Sequence, residues 1–141
     1  MKYLIFLLLL LSFNANALYF DWTVEVDIIE GQKVIKPNKV IKITDKNNVT
    51  VDGAGWRCLV HSDKIGQENM SGMFKEDMLM NCVHLKTRAY FMTSASCLIN
   101  KKNKNDYAID PAKLLLYEDF KSKKPRKSKM MQVLLICSKT N

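Results

Sequence analysis

From Phe20 the chain alternates. Phe20, Trp22, Val24, Val26 and Ile28 are apolar, and Asp21, Thr23, Glu25 and Asp27 between them are polar. A period of two with one apolar face is the pattern of a strand half buried against a core, because successive side chains of extended backbone leave on opposite sides. The stretch from Ile29 to Val34 predicts a turn centred on Gly31. Pro37 predicts an edge or a break before the next apolar run, Val40 to Thr44, since proline cannot donate to a ladder. Asp45 to Asn48 predicts a second turn, with Val49 to Val51 returning as the other arm of a hairpin.

Trp56, Cys58 and Val60 share a parity and predict a core strand. Ser62 to Asp77 is polar and holds Gly66 and Gly72, so it predicts a long surface loop with a helical turn near Met73 to Leu79. Met80 to Lys86 and Arg88 to Ile99 read as strands, the second with Phe91, Thr93, Ala95, Cys97 and Ile99 on one face. After a turn over Asn100 to Asp106, Leu114 to Tyr117 and Met130 to Cys137 predict two closing strands. About seven or eight short strands without a helix between them predict an all-β fold, a small antiparallel β-sandwich or a barrel.

Upstream of Phe20 the pattern changes kind. Lys2 precedes an apolar run from Tyr3 to Leu11, and Ala15-Asn16-Ala17 follows. A positive amino end, a short apolar core and small residues at −3 and −1 are the three parts of a secretory signal peptide, with cleavage expected after Ala17. The run is about half of the ~20 residues that span a bilayer. The expected organisation is therefore a signal peptide over 1–17 and one domain over 18–141, secreted or periplasmic, with no transmembrane segment in the mature chain.

Export changes the meaning of the cysteines. Cys58, Cys82, Cys97 and Cys137 are an even set bound for an oxidising compartment, where thiols pair, so two disulfides are expected. Zinc would want a close pair of the C-x-x-C kind, which is absent. Three connectivities are open, and chain-order proximity favours Cys58 with Cys82 and Cys97 with Cys137.

Charge adds the one candidate site. Residues 18–98 hold ten Lys or Arg against ten Asp or Glu, and residues 99–141 hold eleven against four. The densest part runs from Lys121 to Lys129, where Lys121, Lys123, Lys124, Arg126, Lys127 and Lys129 are six cations with no acid among them. A smaller cluster is Lys101, Lys102 and Lys104. Cations gathered on a hairpin loop attract anionic polymers or membrane surfaces. Nothing aromatic interleaves with them, which weighs against reading single-stranded nucleic acid by stacking. A Lys-rich run is also what an ordinary solvated loop looks like.

Other chemistry is poorly supported. His61 and His84 are the only histidines, and acid-base cleavage of a phosphodiester would need them to converge on one phosphate. Ser94 and Ser96 lack a G-x-S-x-G or S-x-x-K surrounding, and Asp106, Asp110, Glu118 and Asp119 lack a calcium-loop pattern. Asn48-Val49-Thr50 and Asn69-Met70-Ser71 match the N-glycosylation pattern, which has meaning only for export through an endoplasmic reticulum. No cofactor, metal or catalytic residue is expected. The sequence favours a non-enzymatic binding module for an anionic polymer or surface. The alternative is a secreted inhibitor or protein-interaction domain, with the Ser62 to Asp77 segment engaging a protein partner.

Overall fold

The computed structural model describes residues 20–43, 48–68, 72–119, 121 and 128–139, the side chains of 37, 38 and 63–68 excepted. Nine strands occur among them: β1 (Phe20–Glu30), β2 (Lys33–Ile43), β3 (Val49–Gly53), β4 (Trp56–Glu68), β5 (Met73–His84), β6 (Tyr90–Asn100), β7 (Tyr107–Asp110), β8 (Ala112–Tyr117) and β9 (Lys129–Lys139). They form a four-stranded sheet in the order β2-β1-β9-β8 and a five-stranded sheet in the order β3-β4-β5-β6-β7, and every pairing is antiparallel. The result is a sandwich, with no closed barrel and no helix among the described residues.

Alternation decides what fills the space between the sheets. Phe20, Trp22, Val24 and Val26 of β1 and Met131, Val133, Leu135 and Cys137 of β9 are buried from one side. Trp56, Cys58 and Val60 of β4, Met78, Met80 and Cys82 of β5, and Ala95, Cys97 and Ile99 of β6 meet them from the other. Chain order alone had favoured the disulfide pairing that the fold adopts. Cys58 and Cys82 stand directly opposite each other on β4 and β5, whereas Cys97 of one sheet bonds Cys137 of the other and staples the layers together. At Pro111 the chain leaves the second sheet as β7 and enters the first as β8, turning the corner of the sandwich in one residue.

Two expectations fail. The segment Ser62 to Asp77 is strand over 62–68 and 73–77 in place of the expected loop and helical turn: β4 continues to Glu68 and β5 begins at Met73, the two pairing through register shifts near Lys64. The alternation that marks β5 includes Glu76, a charged residue facing inward at 1 % exposure, and a carboxylate in the core series disguises the strand. Its Oε2 accepts the indole N–H of Trp22 at 3.0 Å across the sandwich, which pairs a buried donor of one sheet with a buried acceptor of the other. The second failure is the hairpin between Val40 to Thr44 and Val49 to Val51. The partner of β2 is β1, through the turn at Gly31, while β3 pairs with β4 in the other sheet. Pro37 sits within β2, which is tolerated because β2 is an edge strand. Turn residues 44–47 lie outside the described residues, as does the predicted signal peptide.

The registers give the sandwich two distinct ends. At the upper end are the β1–β2 turn, the Ala54-Gly55 turn between β3 and β4, the β5–β6 turn, and the ends of β8 and β9 that flank the Lys121 to Lys129 connection. At the lower end are the start of β1, the end of β9 and the β6–β7 turn.

Candidate functional site

The candidate site is built at the upper end, where β8 stops and β9 begins. Three hydrogen bonds fix this root. The indole Nε1 of Trp56 donates to the carbonyl of Tyr117 at 2.8 Å, His84 Nε2 lies 3.0 Å from the carbonyl of Glu118, and the Glu118 N–H donates to the carbonyl of Lys129 at 2.9 Å. A carbonyl only accepts, so His84 Nε2 carries the hydrogen. Its Nδ1 then accepts the backbone N–H of Thr87 at 3.1 Å, with the Thr87 hydroxyl at 2.9 Å. The imidazole is buried and stands edge-on to Trp56 at 4.9 Å between ring centroids, and Phe91 lies against the same indole at 5.4 Å. His84 is thus committed on both nitrogens to holding the base of the basic connection and the β5–β6 turn. Gly55, at φ +77°, lies so close that a Cβ there would stand 3.1 Å from His84 Nε2.

Of the six cations singled out in the sequence, Lys121 and Lys129 are exposed on either side of the connection, and Lys123, Lys124, Arg126 and Lys127 lie outside the described residues. The fold adds cations that the linear charge count missed. Lys33 and Lys36 on the first part of β2, and Lys86 and Arg88 in the β5–β6 turn, are all exposed at this end. They belong to a chain segment whose charges sum to zero, so only the register reveals that they gather here. Glu30, Asp52, Glu118 and Asp119 are the exposed acids of the same region. Asp52 is taken up by Arg57, whose Nε donates to it at 2.7 Å. That hydrogen bond first, and the opposite charge second, raise the guanidinium above its already high ordinary value. Two shallow grooves flank the root. One, of about 320 Å³, is lined by Ile29, Gly31, Gln32, Tyr117, Ser128 and Met130. The other, of about 270 Å³, includes Ile35, Lys36, Glu118 and Lys129.

No family model, curated protein or solved structure matches this chain.

The two histidines do not meet. His84 faces the core, whereas His61, in the outward series of β4, has its Nε2 3.0 Å from the Asn81 amide nitrogen. Asn81 Oδ1 accepts the Tyr90 hydroxyl at 3.0 Å, so these three side chains form a polar row on the outer face of the second sheet. Around it Leu59, Tyr90 and Met92 are exposed. Ser96 donates to Asp77 at 2.5 Å on that face as well, and Lys75 pairs with the same carboxylate at 3.1 Å.

Lys101, Lys102 and Lys104 sit in the β6–β7 turn at the lower end. The Lys101 ammonium lies over the Phe74 ring at 4.0 Å, and Lys139, at the far end of β9 from Lys129, reaches Asn105 Oδ1 at 3.4 Å. Lys129 and Lys139 are the two ends of β9, ten positions apart, roughly 33 Å at about 3.3 Å per residue. The two basic clusters of the sequence are separate patches.

Proposed function

We propose that this chain is a non-enzymatic, extracytoplasmic binding module that holds an anionic polymer or surface at its upper end through the basic connection Lys121 to Lys129. The observation that carries the reading is the convergence of cations. The root of that connection shares one end of the sandwich with exposed Lys33, Lys36, Lys86 and Arg88. Clustered like charge on a low-dielectric body focuses its field outward and draws in a polyanion, and the rigid clamp on Tyr117 and Glu118 spares part of the entropy of ordering the base. Two disulfides in a small all-β chain agree with a place outside the cytoplasm.

The test is retention on immobilised heparin and on vesicles containing phosphatidylglycerol, before and after replacing Lys123, Lys124, Arg126 and Lys127 by Gln. Elution at clearly lower salt is expected, because exposed charge contacts are screened over about 10 Å at 0.1 M salt. Unchanged retention on both supports would sink the reading.

A protein-interaction domain is the second reading. Ser62 to Asp77 is strand over 62–68 and 73–77, but the outer face of the second sheet, with Leu59, Tyr90 and Met92 exposed, offers another seat. A partner held there would survive both moderate salt and neutralisation of the basic connection.

A further inference from the structure

The edge strand β2 carries a row of lysines of which the proposed site takes in only the first two. Lys33, Lys36, Lys39 and Lys42 recur at every third residue along its whole length, and all four are exposed. Each interval is roughly 10 Å of extended backbone, and the row spans about 30 Å. None of the four makes an ion pair with a described residue. Spacing by three sends alternate lysines to alternate faces, with register shifts around Ile28 opposite Lys36. On an edge strand both faces border the same open rim, and the long flexible lysine stem carries the charge to it.

The row runs into the upper end without a gap. Lys36 and Lys129 line one groove, and in register Glu30 stands between Lys33 and Lys129 as an exposed carboxylate at the strand's end. Of the acids lining the groove, Asp52 is held by Arg57 and Glu118 is exposed. Between the lysines Val34, Ile35 and Val40 are exposed aliphatic side chains, and the strand holds no aromatic residue. Bases would find nothing to stack on, whereas a saccharide backbone needs no stacking to follow a row of charges.

We infer that the outer edge of β2 is a linear subsite for an extended sulfated or carboxylated polysaccharide, which enters at the upper end and lies down the strand across Lys33, Lys36, Lys39 and Lys42. This deepens the proposed function and rests on it for the upper anchor. Lysines and a proline on an edge also block sheet-to-sheet pairing. One or two would suffice for that. A row as long as the strand and continuous with a second basic patch is the arrangement a stretched polyanion requires.

The experiment measures binding of size-fractionated heparin oligosaccharides to the protein by calorimetry, using one fraction shorter than about 15 Å and one longer than about 40 Å. Four variants accompany it: the edge variant with the four lysines changed to Gln, its Lys→Arg counterpart, Lys39→Gln with Lys42→Gln, and the variant with Lys123, Lys124, Arg126 and Lys127 changed to Gln. The unaltered protein should bind the long fraction more tightly than the short one. The edge variant should lose about tenfold on the long fraction, since four exposed charge contacts each contribute a fraction of a kcal/mol, whereas Lys39→Gln with Lys42→Gln, which leaves the upper-end Lys33 and Lys36 in place, should match the unaltered protein on the short fraction. The log–log salt dependence of the edge variant should flatten, and the Arg counterpart should behave as the unaltered protein. Equal binding of the long fraction by the edge variant and the unaltered protein overturns the inference, and so does indifference to length. Tighter binding of a single-stranded DNA of matched length overturns the assignment to a glycan. A loss confined to the Lys123 to Lys127 variant removes the edge and keeps the proposed site, and a loss confined to the edge variant does the reverse. Sedimentation establishes that each variant is monomeric. If the edge variant associates, Lys39→Gln with Lys42→Gln replaces it, which leaves two lysines guarding the edge.

Discussion

Trp22 and Glu76 show how one polar residue in a core changes what can be read. Inward-facing carboxylates are rare because burying one is costly without partners, so Glu76 interrupts the apolar series that would have marked β5. Its place makes sense only beside an indole from the other sheet, and the sequence gives no sign that residues 22 and 76 meet. Trp22→Phe keeps a ring but removes the donor and part of the volume. It should cost about 1 to 3 kcal/mol, read as a lower urea midpoint at unchanged slope. His84 teaches the same lesson for chemistry. As a residue type it invites a catalytic reading, yet both ring nitrogens are spent on the backbone of Thr87 and Glu118, and the tautomer follows from the partners.

Among the elements, strands were legible wherever one parity was apolar throughout: β1, the first half of β4, β6 and β9 are all visible in the alternation. The far half of β4 was not, because beyond Ser62 the run Asp63-Lys64-Ile65-Gly66-Gln67-Glu68 is mostly polar and does not alternate. Partner choice was legible only where a tight turn dictated it. Gly31, at φ +63°, closes β1 on β2, whereas β2 and β3 are neighbours in sequence and strangers in the sheets. The disulfides belong to this scale too. They close loops of 24 and 40 residues, and removing either with paired Cys→Ala changes should cost about 3 to 4 kcal/mol through the unfolded chain, slightly more for Cys97 with Cys137. The urea midpoint should fall and the slope rise, because the released chain expands and exposes more surface.

For the whole molecule, the positive charge has a direction. Along the chain the excess sits in the final third, and in space it divides between two ends roughly 33 Å apart. That distance is several screening lengths at physiological salt, so the ends act independently. Changing Lys101, Lys102 and Lys104 to Gln should therefore leave heparin elution close to that of the unaltered protein, although it removes as much charge as three changes in the upper connection. A shift as large as the upper-end variant's would mean that net charge, and no particular patch, governs binding.

Local pattern by itself determined the strand-rich class, the parity of the core strands, the even cysteine set and the density of cations from Lys121 to Lys129, because each follows from neighbours within a few residues. Tertiary structure alone decided which strands share a sheet, that one disulfide crosses the layers, that Glu76 meets Trp22, and that lysines from a neutral segment join the basic connection at one end. Those facts depend on residues dozens of positions apart being brought together. No period or spacing in the chain records that distance.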